Sequence, residues 1–123
     1  MVISVLVVDD SVAFLDASCA LLKREGLEVV GVASTSAEAT ERVEDLRPDV
    51  VLVDVNLAEE SGFHLARRLA RADHGRNLTV ILMSTQEAAD LADLIAASLA
   101  AGFLAKSDLS AGAIRRILSG GMC

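Results

Sequence analysis

Five short apolar runs rich in Val, Leu and Ile recur along the chain, at residues 3–8, 27–32, 50–53, 78–83 and 102–105. Each is followed by a stretch whose apolar residues fall three and four apart, the rhythm of one helix face. Phe14, Ala17 and Leu21 keep that spacing, as do Ala39, Val43 and Leu46, then Leu65, Leu69 and Ala72, then Leu91, Ile95 and Leu99, and last Ile114, Ile117 and Leu118. The first, third and fourth runs are apolar almost throughout, without alternation. Strands covered on both faces read this way, and parallel sheets are covered so because their crossover helices lie on both sides. A strand–helix unit taken five times predicts a doubly wound five-stranded parallel α/β domain in the flavodoxin-like order 2-1-3-4-5. Right-handed crossovers then put the first and fifth helices on one face and the second, third and fourth on the other.

Helix starts carry capping residues: Ser11 for the first, Ser36 with Glu38 for the second and Ser110 for the fifth. Gly26 and Gly75 stand where helices should stop. The alanine-rich stretch 88–101 is expected to form a tightly packed fourth helix. With 123 residues the chain fits one domain over 1–123 and is large enough to bury a core without staples. Only three Phe and no Tyr or Trp are present, so that core must be aliphatic. A formal charge of −7 argues against direct nucleic-acid binding, which needs a clustered basic surface. No apolar run reaches membrane-spanning length, and Met1–Ser4 lacks the cationic start of an export signal, so a cytoplasmic protein is expected. Cys19 and Cys123 have no ligand-spaced partner and are expected to be reduced thiols, Cys19 as a small core residue.

Polar residues break the pattern where the strands should end: Asp9-Asp10, Asp54, Ser84-Thr85 and Lys106. In the order 2-1-3-4-5 the first and third strands meet at the switch point where open α/β sheets bind ligands. Three carboxylates thus converge on one crevice beside a hydroxyl and an ammonium. Two carboxylates about 4 Å apart repel by roughly 4 kcal/mol at an effective dielectric near 20. Lys106 can neutralise one of them. The remainder suits a hard divalent cation, Mg²⁺ first, with Mn²⁺ or Ca²⁺ as substitutes. A cation and an ammonium around a carboxylate are what phosphoryl transfer requires, and Asp54, alone at the sheet centre, is the better nucleophile.

Across essentially its whole length the chain resembles the receiver domain of bacterial two-component response regulators. The resemblance rests on the acidic pair Asp9-Asp10, on Val51-Leu52-Val53-Asp54, on Ile81-Leu82-Met83-Ser84 and on Gly102-Phe103-Leu104-Ala105-Lys106. It implies that Asp54 is the phosphoacceptor, Asp10 a direct metal ligand and Asp9 a ligand through water. It also implies that the backbone carbonyl of Asn56 completes the metal site. Ser84 matches the switch hydroxyl, Lys106 the lysine that pairs with the phosphoryl group, Phe103 the aromatic that swings inward, and Gly62 the glycine of the loop after the phosphoacceptor. The C-terminal part most resembles receivers that precede LuxR-type DNA-binding domains. The chain therefore looks like a stand-alone receiver or one trimmed from a longer regulator. Its implied partners are a histidine kinase or phosphotransfer protein and an output protein, with homodimerisation through the fourth helix, fifth strand and fifth helix as a further possibility.

Two positions depart from the family pattern. Ala58 stands where proline is common, leaving the stiffness of that loop open. Ser107 replaces the proline that usually follows the lysine. A cis bond before serine costs about 2.5–4 kcal/mol, so the expectation is a trans bond with a shifted loop or a strained cis bond.

Blander readings stand beside each residue. Asp9 and Asp10 could serve only the first helix dipole, and Lys106 could be solvated. Ser84 or Thr85 could be only a cap for the fourth helix, and Phe103 only core filling. His64 and His74 are expected at the surface. Among competing functions, a Mg²⁺-dependent phosphohydrolase on the same fold would want a second acid at position 56, where Asn56 stands. A flavin would want hydroxyls and amides where Asp9 and Asp10 stand. An interaction module that takes no phosphate is the third alternative.

Overall fold

The computed structural model describes residues 2–57, 60–72, 78–86 and 88–120. Along these run β1 (Ser4–Val8), α1 (Val12–Arg24), β2 (Glu28–Ala33), α2 (Ser36–Leu46), β3 (Val50–Asp54), α3 (Gly62–Arg71), β4 (Thr79–Ser84), α4 (Ala92–Ala97), β5 (Gly102–Ala105) and α5 (Ala111–Leu118). One-turn 3₁₀ helices precede α4 at Ala88–Leu91 and follow β5 at Lys106–Asp108. The strands form one parallel sheet in the order β2-β1-β3-β4-β5. This is the expected doubly wound topology, with strand edges moved by one residue at most.

The pleat sends alternate side chains to opposite faces, and two separate apolar clusters result. Leu6, Val8, Val51, Val53, Val80 and Leu82 pack beneath α2, α3 and α4 with Leu65 and Leu69. Val5, Val7, Val50, Leu52, Ile81 and Met83 pack beneath α1 and α5 with Leu22 and Ile114. The helices are thus distributed between the faces as the crossover rule requires. β3 lies at the centre with all five residues buried. Each fully buried Leu, Ile or Val contributes about 1.5–3 kcal/mol relative to exposure, so aliphatic packing alone can hold a core with so few rings.

Local signals read well at two helix starts and less well elsewhere. Ser11 and Ser110 cap α1 and α5, each hydroxyl accepting from the backbone amide three residues on. The cap of α2 is Thr35, not Ser36. Thr35 takes the extended backbone a cap needs and accepts from the Glu38 amide, while Glu38 turns back to the amide and hydroxyl of Ser34, both at 2.9 Å. This is a capping box set one residue earlier than expected. At the end of α1, Gly26 adopts φ +96°, the left-handed turn that glycine allows without a steric cost. Gly75, His74, Ala58 and Cys123 lie outside the described residues.

The alanine-rich stretch departs most from expectation. In place of one long packed helix there is a 3₁₀ turn and a six-residue α4 with no buried residue. Alanines bury too little area to hold a helix down. Ser98 also ends it early, its hydroxyl donating to the Ile95 carbonyl at 2.6 Å and accepting from the Ala100 amide at 3.2 Å. Leu99, expected on the inward stripe, is 52% exposed and sits at φ +65°. Cys19 is half-buried against the α1/α5 cluster rather than a full core residue, and burial raises its thiol pKa.

Candidate functional site

The carboxyl ends of β1, β3 and β5 meet at one point of the rim. Asp9 follows β1 directly and is wholly buried; Asp54 ends β3 and is 4% exposed; Asp10 faces solvent. Each offers a carboxylate oxygen, and these lie within 4.8 Å of one another. Lys106, at the end of β5, extends its ammonium into the same space. It donates to Asp9 Oδ2 at 2.6 Å and stands 3.5 Å from Asp54 Oδ2. The switch-point geometry drawn from the strand order therefore brings together four of the expected side chains.

Both carboxylates of the buried pair are also held from behind. Asp9 Oδ1 accepts from the Ser11 amide at 2.8 Å, and Asp54 Oδ1 accepts from the Asn56 amide at 3.2 Å. Burial raises the Asp54 pKa, and the Asn56 amide opposes that; the charges on Asp9 and Asp10 raise it further while Lys106 works against them. The Asp54 anion is thus destabilised relative to one in water, which is the condition of a carboxylate that gains from bonding to an electrophile or a cation. Oxygen donors alone, clustered this closely with one ammonium between them, fit a small hard divalent ion.

The loop behind Asp54 is held by Gly62. Its amide donates to the Val55 carbonyl at 3.0 Å, and a Cβ there would lie 2.6 Å from the Val55 Cα. Only glycine lets the start of α3 close against the strand end. Asn56 is exposed, two residues beyond Asp54.

Ser84 ends β4, one residue past Met83, the cross-strand partner of Asp54. It is fully buried, and its hydroxyl accepts from the Gln86 amide at 2.9 Å. Thr85 is exposed, and α4 starts only at Ala92, so neither hydroxyl caps that helix. Phe103 is half-buried and packs with the α2/α3/α4 cluster, on the face opposite the carboxylates' lysine-bearing side. His64 is exposed on α3.

Among the described residues no peptide bond is cis. The Lys106–Ser107 bond is therefore trans, and the chain leaves β5 in the 3₁₀ turn Lys106–Asp108. Of the two bond geometries expected for a chain lacking the usual proline, the trans one is realised. One residue near the site was read only as core. The Phe14 ring lies under the Lys106 ammonium, 4.4 Å from ring centroid to Nζ. The available signal was its position three residues after the cap Ser11, which turns it toward the same rim.

A family model described as the response regulator receiver domain matches residues 5–117. A protein-glutamate methylesterase/protein-glutamine glutaminase of Geobacillus kaustophilus is 40% identical over 90 residues, spanning 72% of this chain and 25% of that protein. The chain spans a quarter or less of the first curated relatives it matches. The chemotaxis protein CheY of Thermotoga maritima is 29% identical over 84 residues, 68% of this chain and 70% of its own length. Among solved structures, the signal receiver domain of the NarL response regulator from Mycobacterium tuberculosis superposes with a TM-score of 0.84 at 26% identity, covering 97% of this chain and 98% of that one.

Proposed function

The chain belongs to the response regulator receiver family of two-component signalling, and from that premise we propose that it is a phosphorylation-dependent switch whose phosphoacceptor is Asp54. The observation that carries this reading is a buried carboxylate at the tip of the central strand, with an ammonium 3.5 Å away and two more acids beside it. A histidine kinase or phosphotransfer protein supplies the phosphoryl group. An Asp54 oxygen bonds to phosphorus in line as the phosphorus–nitrogen bond of the phosphohistidine breaks, and the imidazole keeps the electron pair and takes a proton from water. Lys106 pairs with a phosphoryl oxygen, exchanging part of its attraction to Asp9 for a stronger one.

Asp9, Asp10, Asp54 and the backbone carbonyl of Asn56 are the groups that would hold Mg²⁺, or Mn²⁺ or Ca²⁺ in its place. Bound there, the ion supplies positive charge to the transferring oxygens. Ser84 leaves the Gln86 amide and donates its hydroxyl to the phosphoryl group. Phe103 moves inward with it, and the α4/β5/α5 face takes a second arrangement that an output protein or a second copy recognises. Residues 1–123 act as one receiver unit in the cytoplasm, without direct nucleic-acid binding and with no enzymatic activity beyond assisting transfer to and from Asp54.

Intact-mass measurement after incubation with a small acyl phosphate and Mg²⁺ tests the proposal. One added phosphoryl group, absent in Asp54→Ala, is the expected result. An unmodified chain would point to an interaction module that takes no phosphate, and turnover of the acyl phosphate without an adduct would point to a phosphohydrolase.

A further inference from the structure

We propose that Phe14 is a positioning residue for phosphoryl transfer, holding the Lys106 ammonium beside Asp54 through the face of its ring. The inference rests on the phosphoacceptor reading of Asp54 and adds to it a residue on another element. Lys106 has a flexible four-carbon stem, and three groups compete for its ammonium. Asp9 Oδ2 is nearest at 2.6 Å, Asp54 Oδ2 lies at 3.5 Å, and the Phe14 centroid lies at 4.4 Å. Left to the two carboxylates, the ammonium favours Asp9. Yet its work lies on the Asp54 side, where the phosphoryl oxygens arrive.

A ring face solves this conflict because its attraction for a cation has no fixed hydrogen-bond direction. The ammonium can turn from Asp9 toward the phosphoryl oxygens without leaving the ring. The ring also covers the lysine on one side, which keeps water from competing for its protons.

The chain sets the ring in place through a short closed circuit. Asp9 Oδ1 accepts from the Ser11 amide, and the Ser11 hydroxyl accepts from the Phe14 amide at 3.2 Å. Phe14 meets Lys106, and Lys106 returns to Asp9 Oδ2. The start of α1 and the end of β5 are thereby tied to the two oxygens of one carboxylate. Phe14 also packs with the α1/α5 cluster, a role that leucine fills equally well; only the cation contact needs a ring.

The test reaction is transfer from a small acyl phosphate: an Asp54 oxygen bonds to phosphorus as the acyl oxygen–phosphorus bond breaks and the acyl carboxylate leaves with the electron pair. With saturating Mg²⁺, Phe14→Leu should slow adduct formation about threefold to tenfold, and Phe14→Tyr should restore it to within about twofold. In a Lys106→Ala background, Phe14→Leu should slow nothing further. An unchanged rate in Phe14→Leu, a Tyr variant as slow as the Leu variant, or equal slowing with and without the lysine would overturn the proposal. Absence of any adduct in the unaltered chain would remove the phosphoacceptor reading and this one with it, a pattern distinct from a normal rate in the variant. A second readout needs no phosphate. The Lys106 ε protons should show an upfield ring-current shift in the NMR spectrum, lost in Phe14→Leu; ordinary shifts in the unaltered chain would overturn the contact itself.

Discussion

At the amino end of β3, Asp49 is closed into an exchange with Ser4. Its Oδ2 accepts from the Ser4 amide at 2.9 Å and the Ser4 hydroxyl at 3.2 Å, while its own amide donates to that hydroxyl at 2.9 Å. At the carboxyl end of the same strand, Asp54 has one amide donor, an ammonium at 3.5 Å and two further carboxylates. The two residues have the same chemistry and opposite surroundings. Asp49 Oδ2 takes both donors from Ser4 and ties β1 to β3 as a structural latch. Asp54 is buried, raised in pKa and faced by two further acids, so its anion gains from any cation or electrophile that enters the rim. A carboxylate at a strand end is primed for a ligand when burial and like charges, rather than fixed donors alone, surround it.

The largest effect that could break this contrast comes from Lys106. Lys106→Ala should slow phosphorylation of Asp54 by roughly a hundredfold, the usual scale for removing a preorganised charge from a transfer site. A rate close to that of the unaltered chain, followed by intact mass, would make the ammonium a mere counter-ion for Asp9. Next comes the latch. Asp49→Ala should accept phosphate fully yet lose about 1–2 kcal/mol of stability from its broken hydrogen bonds. Thermal unfolding by circular dichroism should register this as a drop of about 3–8 °C. A loss of phosphorylation in this variant would erase the distinction between the two ends.

The smallest expected effect concerns Asp54 itself. Its pKa is higher folded than unfolded, so the folded state holds the proton more tightly, and stability falls as pH rises through that window. Asp54→Asn cannot titrate. In metal-free buffer at neutral pH it should be more stable than the unaltered chain, the gap closing as pH falls toward the ordinary carboxylate value near about 4 and gone below it. A variant less stable at neutral pH would mean that Asp54 is already satisfied, like Asp49.

The β-branched runs made the sheet legible because they coincide with burial on both faces, and the strand order then placed Asp9, Asp10, Asp54 and Lys106 on one rim. The region from Ala88 to Leu99 was not legible in the same way. Alanine spacing suits a helix, but it says nothing about whether that helix has area to bury, and Ser98 carries a second hydrogen-bonding option that periodicity ignores. The Thr35 cap was misplaced by one residue because Thr and Ser are adjacent and equivalent in type; only backbone angles separate them. Phe14 shows a different limit. An aromatic on an apolar stripe reads as core, and its contact with a cation 92 positions away in the chain depends on where β5 ends.

The two apolar clusters share no residue, and this has a practical meaning for anyone wishing to rewire the protein. Asp54 lies on the pleat phase of Leu52, above the α1/α5 cluster, whereas Phe103 belongs to the layer beneath α2, α3 and α4. Substitutions in the α3/α4 layer should leave the packing beneath α1 and α5 intact, whereas α5, on the proposed output face, rests on the same cluster as Leu52. If the proposed switch holds, Ser84 at the tip of β4 is the hinge pin through which any such altered layer would still sense a phosphoryl group on Asp54.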